Sequence, residues 1–199
     1  MGAGHLGEVI EAASASFVAE TPPARLHEPP PFGSLVRVAG ASPGQRVYGV
    51  VSGATTGSSD PGRRPTAYGL EPEALRAQQP QIFELLRTTF TAAVVGYGEG
   101  ADCYLVLPPA PPAVHAFVHE CTAEEIIRLT DKEGFARVLL AGASPVADEL
   151  VAACLRLAYL ARGKDYPFLV RGGRELAAAL SDDHRRLAGI LDRITPYLK

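Results

Sequence analysis

The prolines of this chain are gathered at one end: fourteen of the seventeen stand before residue 113. Proline fixes φ and has no N–H to donate, so such a region holds neither long helices nor uninterrupted central strands. What remains open to it is a set of short strands joined by Gly/Pro turns, as in a small barrel or sandwich. Beyond residue 121 the punctuation changes to helix caps and helical periodicity. The chain therefore reads as two parts, 1–121 and 122–199, in one α+β protein.

Within the first part, "GEVIEA" (Gly7 to Ala12) and "SFVAE" (Ser16 to Glu20) form one strand pair. "SLVRVAG" (Ser34 to Gly40) and "RVYGVVSG" (Arg46 to Gly53) form a second, joined as a hairpin by "GASPGQ". In the third strand Val36 and Val38 share one face, and Leu35 and Arg37 take the other. "TFTAAVVGYG" (Thr89 to Gly98), "CYLVL" (Cys103 to Leu107) and "VHAFVHE" (Val114 to Glu120) return to strand composition and close the barrel. Between them, "EPEALRAQQPQIFELL" (Glu71 to Leu86) carries helical spacing interrupted at Pro80, which predicts two short helical pieces.

The second part announces its helices by their starts. "TAEE" places Thr122 and Glu125 as a capping box, and "TDKE" offers the same device at Thr130 and Glu133. Ser144 and Pro145 fit a cap and a first helical position, and Gly163 fits the left-handed end of the helix that follows. That helix carries Val146, Leu150, Cys154, Leu157 and Ala161 on one stripe. Ser181 is the expected cap of the last helix, whose buried face is Leu187, Ile190, Leu191 and Ile194. Four to five short helices are expected in all. The "PPAPPA" stretch from Pro108 to Ala113 is a stiff extended connection.

Charge narrows the function classes. Residues 1–121 hold seven Arg, no Lys and eleven acids, and residues 122–199 hold twelve basic and eleven acidic side chains. Neither part is a basic surface, which disfavours nonspecific nucleic-acid binding. Cys103, Cys121 and Cys154 are odd in number and widely spaced, so they suggest neither a disulfide framework nor a zinc site. There is no secretory n-region and no run of the ~20 apolar residues that a transmembrane helix needs. The expected location is cytoplasmic.

The most unusual stretch is "ATTGSSDPGRRPTAYG", from Ala54 to Gly69. A phosphate-binding P-loop needs a Lys and a Ser or Thr directly before a helix, and no Lys occurs before Lys132. That nucleotide chemistry is excluded. Two readings stay open: a solvated turn, or a partner loop in which the amides of Gly57, Ser58 and Gly62 form a nest beside Arg63 and Arg64, with Arg76 near by. His115 and His119 lie on strand composition, about 13 Å apart at ~3.3 Å per residue, too far for one metal. No GxSxG and no recognisable triad is present, and Asp182 and Asp183 read as first-turn helix electrostatics. No catalytic residue, metal or cofactor is assigned.

The order of these residues resembles a known family. "GEVIEAASASFVAE", "FGSLVRVAG" and "RVYGVVSGATTG" are similar to the HAS barrel, the small β-barrel at the N-terminus of HerA helicases and of the catalytic-ring subunits of F-type ATP synthases. Gly7, Val9, Phe17, Gly33, Leu35, Val36, Val38, Gly49 and Val50 fit that frame, over about residues 5–121. The stretches "TTGSSDPGRRPTAYG" and "LRAQQPQIFELLRT" look like features of a stand-alone bacterial branch. The resemblance implies a barrel that assembles with copies of itself or docks a partner, the ATPase residing in a separate motor domain. After the barrel this chain carries helices in place of Walker segments.

The expectation is thus a HAS-like barrel of six to seven strands with a helical insertion (1–121), followed by a helical domain (122–199). Its expected role is non-enzymatic: docking a protein partner, or self-association, through the barrel and its Arg-containing loop. The alternative is an accessory nucleic-acid-binding protein that places Arg63 and Arg64 on phosphates.

Overall fold

The computed structural model describes residues 4–60, 62, 65–142 and 146–194. Strands β1 (Gly7–Ala12), β2 (Ser16–Glu20), β3 (Leu35–Ala39), β4 (Gln45–Ser58), β5 (Leu86–Glu99) and β7 (Phe117–Glu120) pair antiparallel in a closed ring. Its order is β1, β2, β5, β4, β3 and β7, which returns to β1. A seventh strand, β6 (Asp102–Tyr104), adds to β5 outside the ring. Helices α1 (Pro72–Gln78) and α2 (Pro80–Glu84) are inserted between β4 and β5 and meet at Pro80. Five helices follow the barrel: α3 (Ala123–Thr130), α4 (Phe135–Ala141), α5 (Ala147–Ala161), α6 (Tyr166–Ala179) and α7 (His184–Ile194). None of the described helices is long and apolar enough to cross a membrane.

Two separate cores hold the molecule together. The first fills the barrel: Val9, Phe17, Val36, Val38, Val47, Val51, Phe90 and Val118 point inward and are almost wholly buried. Closing a six-stranded ring around Phe17 and Phe90 leaves little room opposite them. A Cβ on Gly49 would stand 3.1 Å from the Phe17 ring and 3.0 Å from the Ala92 methyl, so glycine is what lets the strand pass.

The second core lies between the outer barrel wall and the helices. Leu35, Tyr48, Val50, Val95 and Cys103 from the barrel pack with Leu129, Phe135, Leu150, Leu155 and Leu176 in one continuous cluster. Leu35 and Val36 are therefore both buried, one on each side of the wall. Gly33 marks the junction: its φ is +87°, and a Cβ there would lie 2.6 Å from the Ala153 methyl of α5. A strand covered on both faces reads as a nearly unbroken apolar run, as "VYGVV" does.

Several local expectations need correction. The Thr122/Glu125 capping box forms, with both reciprocal bonds present. The one at Thr130 does not: Thr130 ends α3 and its hydroxyl donates back to Ile126 O at 2.7 Å, while α4 starts after Gly134 in the left-handed region. Ser144 and Pro145 lie outside the described residues. The buried side of α5 is a broad band from Leu150 to Leu155 with Ala158 and Tyr159, because this helix is surrounded by its neighbours, and Val146 and Ala161 are exposed. Gly163 does adopt φ +68° just past its end. At α7 the capping group is Asp183, whose Oδ1 accepts from Arg186 N at 2.9 Å, in place of Ser181. Ile190 and Ile194 are buried there, whereas Leu191 is exposed. Helix α6 has Asp165 as its cap and was not anticipated.

The strands also shift. β7 begins only at Phe117, because His115 sits at φ +71° and its Nδ1 hydrogen-bonds Glu8 Oε1 at 2.6 Å. β4 runs on past Gly53 to Ser58 and β5 starts earlier, at Leu86. That extension builds the feature described next.

Candidate functional site: the arm of strands four and five

β4 and β5 are each 14 residues long, whereas strands of 5–6 residues are usual. The start of β4 and the later part of β5 belong to the barrel. A register shift lies at Val51/Gly53, where β4 parts from β3 but stays paired to β5. Gly53 is opposite Thr91 and Thr55 opposite Thr89, with β2 still on the far side of β5. Gly57 then lies opposite Arg87 and Ser58 opposite Leu86, where the pair runs past β2 as an arm.

The base of the arm is fixed by a small polar knot. Thr88, only 1 % exposed, accepts at its carbonyl from Thr21 N (2.9 Å) and Thr21 Oγ1 (3.2 Å). Its hydroxyl receives His27 N at 3.1 Å and bonds Thr56 Oγ1 at 2.8 Å. Among the described residues no buried side-chain nitrogen or oxygen is left without a hydrogen-bond partner. Arg87 adds an ion pair to Glu20 at 3.1 Å and donates to Glu84 O and Leu86 O.

The end of the arm is different. Neither α1 nor α2 buries a single residue. Tyr68, Leu70 and Leu85 remain 46 %, 42 % and 39 % exposed. A cleft of about 460 Å³ opens there, walled by Ser58, Gly62, Tyr68, Ile82 and Leu85. Arg76 does not reach into it as a free cation; its guanidinium lies over the Phe83 ring, 4.6 Å from the centroid.

The expected anion nest can now be placed residue by residue. Gly57 and Ser58 lie within β4, paired to β5. The amide of Gly62 donates to Asp60 Oδ1 at 2.8 Å, and that of Asp60 to Ser58 Oγ at 3.1 Å. Arg63 and Arg64 lie outside the described residues. Ser58 and Gly62 share the cleft, while Arg76 belongs to the neighbouring helix pair. No known family model matches the chain, and no curated protein does either.

A second polar centre escaped the sequence reading. Glu125, 4 % exposed, is approached by Arg37 Nη1 at 3.3 Å and Arg46 Nη1 at 3.6 Å, and its Oε2 accepts from Thr122 N at 2.9 Å. The β3–β4 hairpin brings the two arginines together by register, which a linear reading of Arg37 and Arg46 does not display. The capping box was the one available signal. This centre bolts the start of α3 to the barrel wall beside a shallow cavity of about 350 Å³ that also touches Gln45 and His119. Burial, then the charges of Arg37 and His5, lowers the His119 pKa from its usual 6.5.

The thiols are placed for packing. Burial pushes Cys154 up to about 12 and Cys121 well above its usual value, with Glu125 adding to the second; Cys103 is raised as well, chiefly by burial. Such thiols are not nucleophiles at neutral pH. Among the described residues no group of three or more His, Cys, Asp or Glu is arranged to hold a metal ion.

Proposed function

We propose that this protein is a non-enzymatic interaction module that docks a protein partner through the barrel-borne arm and its helical cap. The observation that carries the reading is the cap itself: two helices with no buried residue, held at the end of the arm, with Tyr68, Leu70 and Leu85 open to solvent. Tyr68 and Leu85 wall the same cleft, and exposed apolar groups gathered in a groove mark an interaction site. The barrel frame, which resembles a HAS barrel, is consistent with the same role.

Charge favours a protein over a nucleic acid. Residues 54–87 contain four Arg and four acids, which leaves the arm and cap without the cationic excess needed to displace phosphate counterions. The test is affinity capture with the full chain and with Tyr68→Ser/Leu85→Ser, followed by identification and reconstitution with the purified partner. A partner bound by the first and lost by the second, with the melting profile unchanged, supports the reading. Equal binding by both proteins, or salt-sensitive binding to DNA or RNA in place of a protein, overturns it.

A further inference from the structure

The arm leaves one backbone edge open. On the side away from β5, β3 pairs with β4 only as far as Val50, and the last bonds on that side join Val51 to Gly33 and Ser34. Among the described residues nothing pairs with Gly53–Ser58 there. A Cβ built on Gly53 or Gly57 meets no atom within 4 Å.

The direction of each backbone group follows from the ladder. Ser59 N donates to Leu85 O, so Ser59, Gly57 and Thr55 aim their amides and carbonyls at β5, in step with their partners Leu85, Arg87 and Thr89. The alternate residues Ala54, Thr56 and Ser58 therefore aim theirs at the open side. Thr88, opposite Thr56, agrees: its carbonyl points away from β4, to Thr21.

Other edges of the sheet are guarded. Thr21 and His27 cover Thr88 on the far side of β5. β6 is three residues long, carries Asp102, and is flanked by Arg128, which donates to Ala101 O. Short strands, charges and covering segments are how proteins prevent strand addition. "SGATTGS" has none of them: no charge, no proline, two adjacent threonines.

We propose that this edge pairs with the same edge of a second copy of the chain, antiparallel about a two-fold axis at Thr56. This deepens the docking reading by naming one partner and rests on it for the arm's role. In that register Thr56 faces Thr56 of the other copy, and Ala54 faces Ser58, each pair exchanging N–H···O=C bonds. The edge is its own complement. Self-pairing brings no like charges together, and Thr–Thr is a favourable cross-strand pair. A foreign strand would need side-chain pockets for selectivity, whereas alanine, threonine, serine and glycine provide none. A joint this small buries less than a standard interface, so the dimer is weak and concentration-dependent.

The test uses the full chain in light scattering and in residue-resolved amide exchange, from low concentration to ~1 mM, the range a sub-standard interface demands. Expected is a dimer at high concentration, in which the amides of Ala54, Thr56 and Ser58 slow while those of Thr55 and Gly57 are slow throughout. Ala54→Lys/Ser58→Lys sets Lys against Lys across the axis and raises the dissociation constant roughly tenfold or more. Ala54→Lys/Ser58→Glu sets Lys against Glu and restores dimerisation. Ala54 is exposed, Ser58 is half-buried with its hydroxyl accepting from Asp60 N, and continued protection of the three buried thiols checks the fold in both variants. A monomer at every concentration, or a dimer indifferent to both variants, overturns the proposal. So does a different protein that protects the same amides, although docking would then stand. Loss of heterologous binding with the dimer intact would instead remove the docking reading alone.

Discussion

β4 is one strand with two environments. From Val47 to Val51 both its faces are covered: Val47 and Val51 point into the barrel, and Tyr48 and Val50 lie beneath the helices. From Gly53 to Ser58 no residue is buried. The first half is defined by apolar packing, and the second is held only by its ladder to β5 and the knot at Thr88. The contrast teaches that β4 gives up its β3 partner by Val51 while β5 keeps β2 as far as Thr89, so the last residues of the ladder, Gly57 and Ser58 with Leu86 and Arg87, lie beyond the ring. A structure kept beyond what the core requires is where function is to be sought.

The strongest way to break the contrast is to empty the buried half. Phe90 is 1 % exposed at the centre of the barrel, so Phe90→Ala costs about 3–5 kcal/mol. The conservative Phe90→Leu, with a smaller loss, keeps the measurement possible if the alanine variant does not fold. Urea unfolding followed by far-UV circular dichroism provides the value. A loss under 1 kcal/mol for the alanine variant would mean that the barrel interior is not the stabilising half.

The junction between the two cores comes next. Gly33→Ala imposes a side chain at φ +87° and within 2.6–2.8 Å of Ala153 and Cys154, for a cost of about 2–4 kcal/mol. Because the second core is shared by barrel and helices, both should unfold in one transition, with near- and far-ultraviolet signals superimposed. Split transitions would show that the helices are an independent unit.

Glu125→Gln removes the anion between Arg37 and Arg46 but keeps a capping oxygen. The arginines are 30 % and 45 % exposed at their side chains, so water screens much of the charge. The expected loss is about 1–2 kcal/mol in the same urea assay, set by the buried carboxylate. A neutral result would reduce this centre to a surface pair.

These magnitudes also explain what could be read in advance. Positions whose neighbours are local were legible: the alternation of Val36 and Val38, the break at Pro80, the Thr122/Glu125 box. Positions set by distant partners were not. Thr130 carries a good capping pattern, yet it is the last residue of α3 because Leu129 is claimed by the second core and holds that turn helical. Read alone, "GATTGS" has turn-like glycines that end β4 at Gly53, and only pairing with Leu86–Thr91 makes it strand. Asp165 caps a helix whose buried stripe, Phe168, Gly172 and Leu176, is broken by a glycine pair at its middle. Of the candidate site, the stretch itself was legible, but its backbone edge was not: which amides lie open depends on register, a property of two strands together.

On the open half the expected effects shrink. Thr55→Ala, exposed on the arm, should change stability by no more than ~0.5 kcal/mol. Thermal melts of dilute protein test this, where no second copy can contribute. A loss above 1 kcal/mol would mean the arm is part of the stabilising fold after all.

The smallest effect sharpens where the covered wall ends. His119 stands on β7 beside Arg37, half-buried at the rim of the second core. Burial and then Arg37 and His5 depress its folded-state pKa below the 6.5 of the unfolded chain. Between those two values the unfolded chain binds the proton and the folded one does not, so stability declines as pH falls through 6.5 toward the folded pKa. Above 6.5 both states are neutral and the contribution is constant. The melting temperatures of the wild-type chain and His119→Gln should therefore run parallel from pH 8 to about 6.5, the reference pKa of histidine. Below it the wild-type chain should lose stability faster. Parallel curves down to pH 5 would show that the imidazole is as well hydrated in the fold as out of it, and would move the boundary of the covered wall inward from β7 to β3.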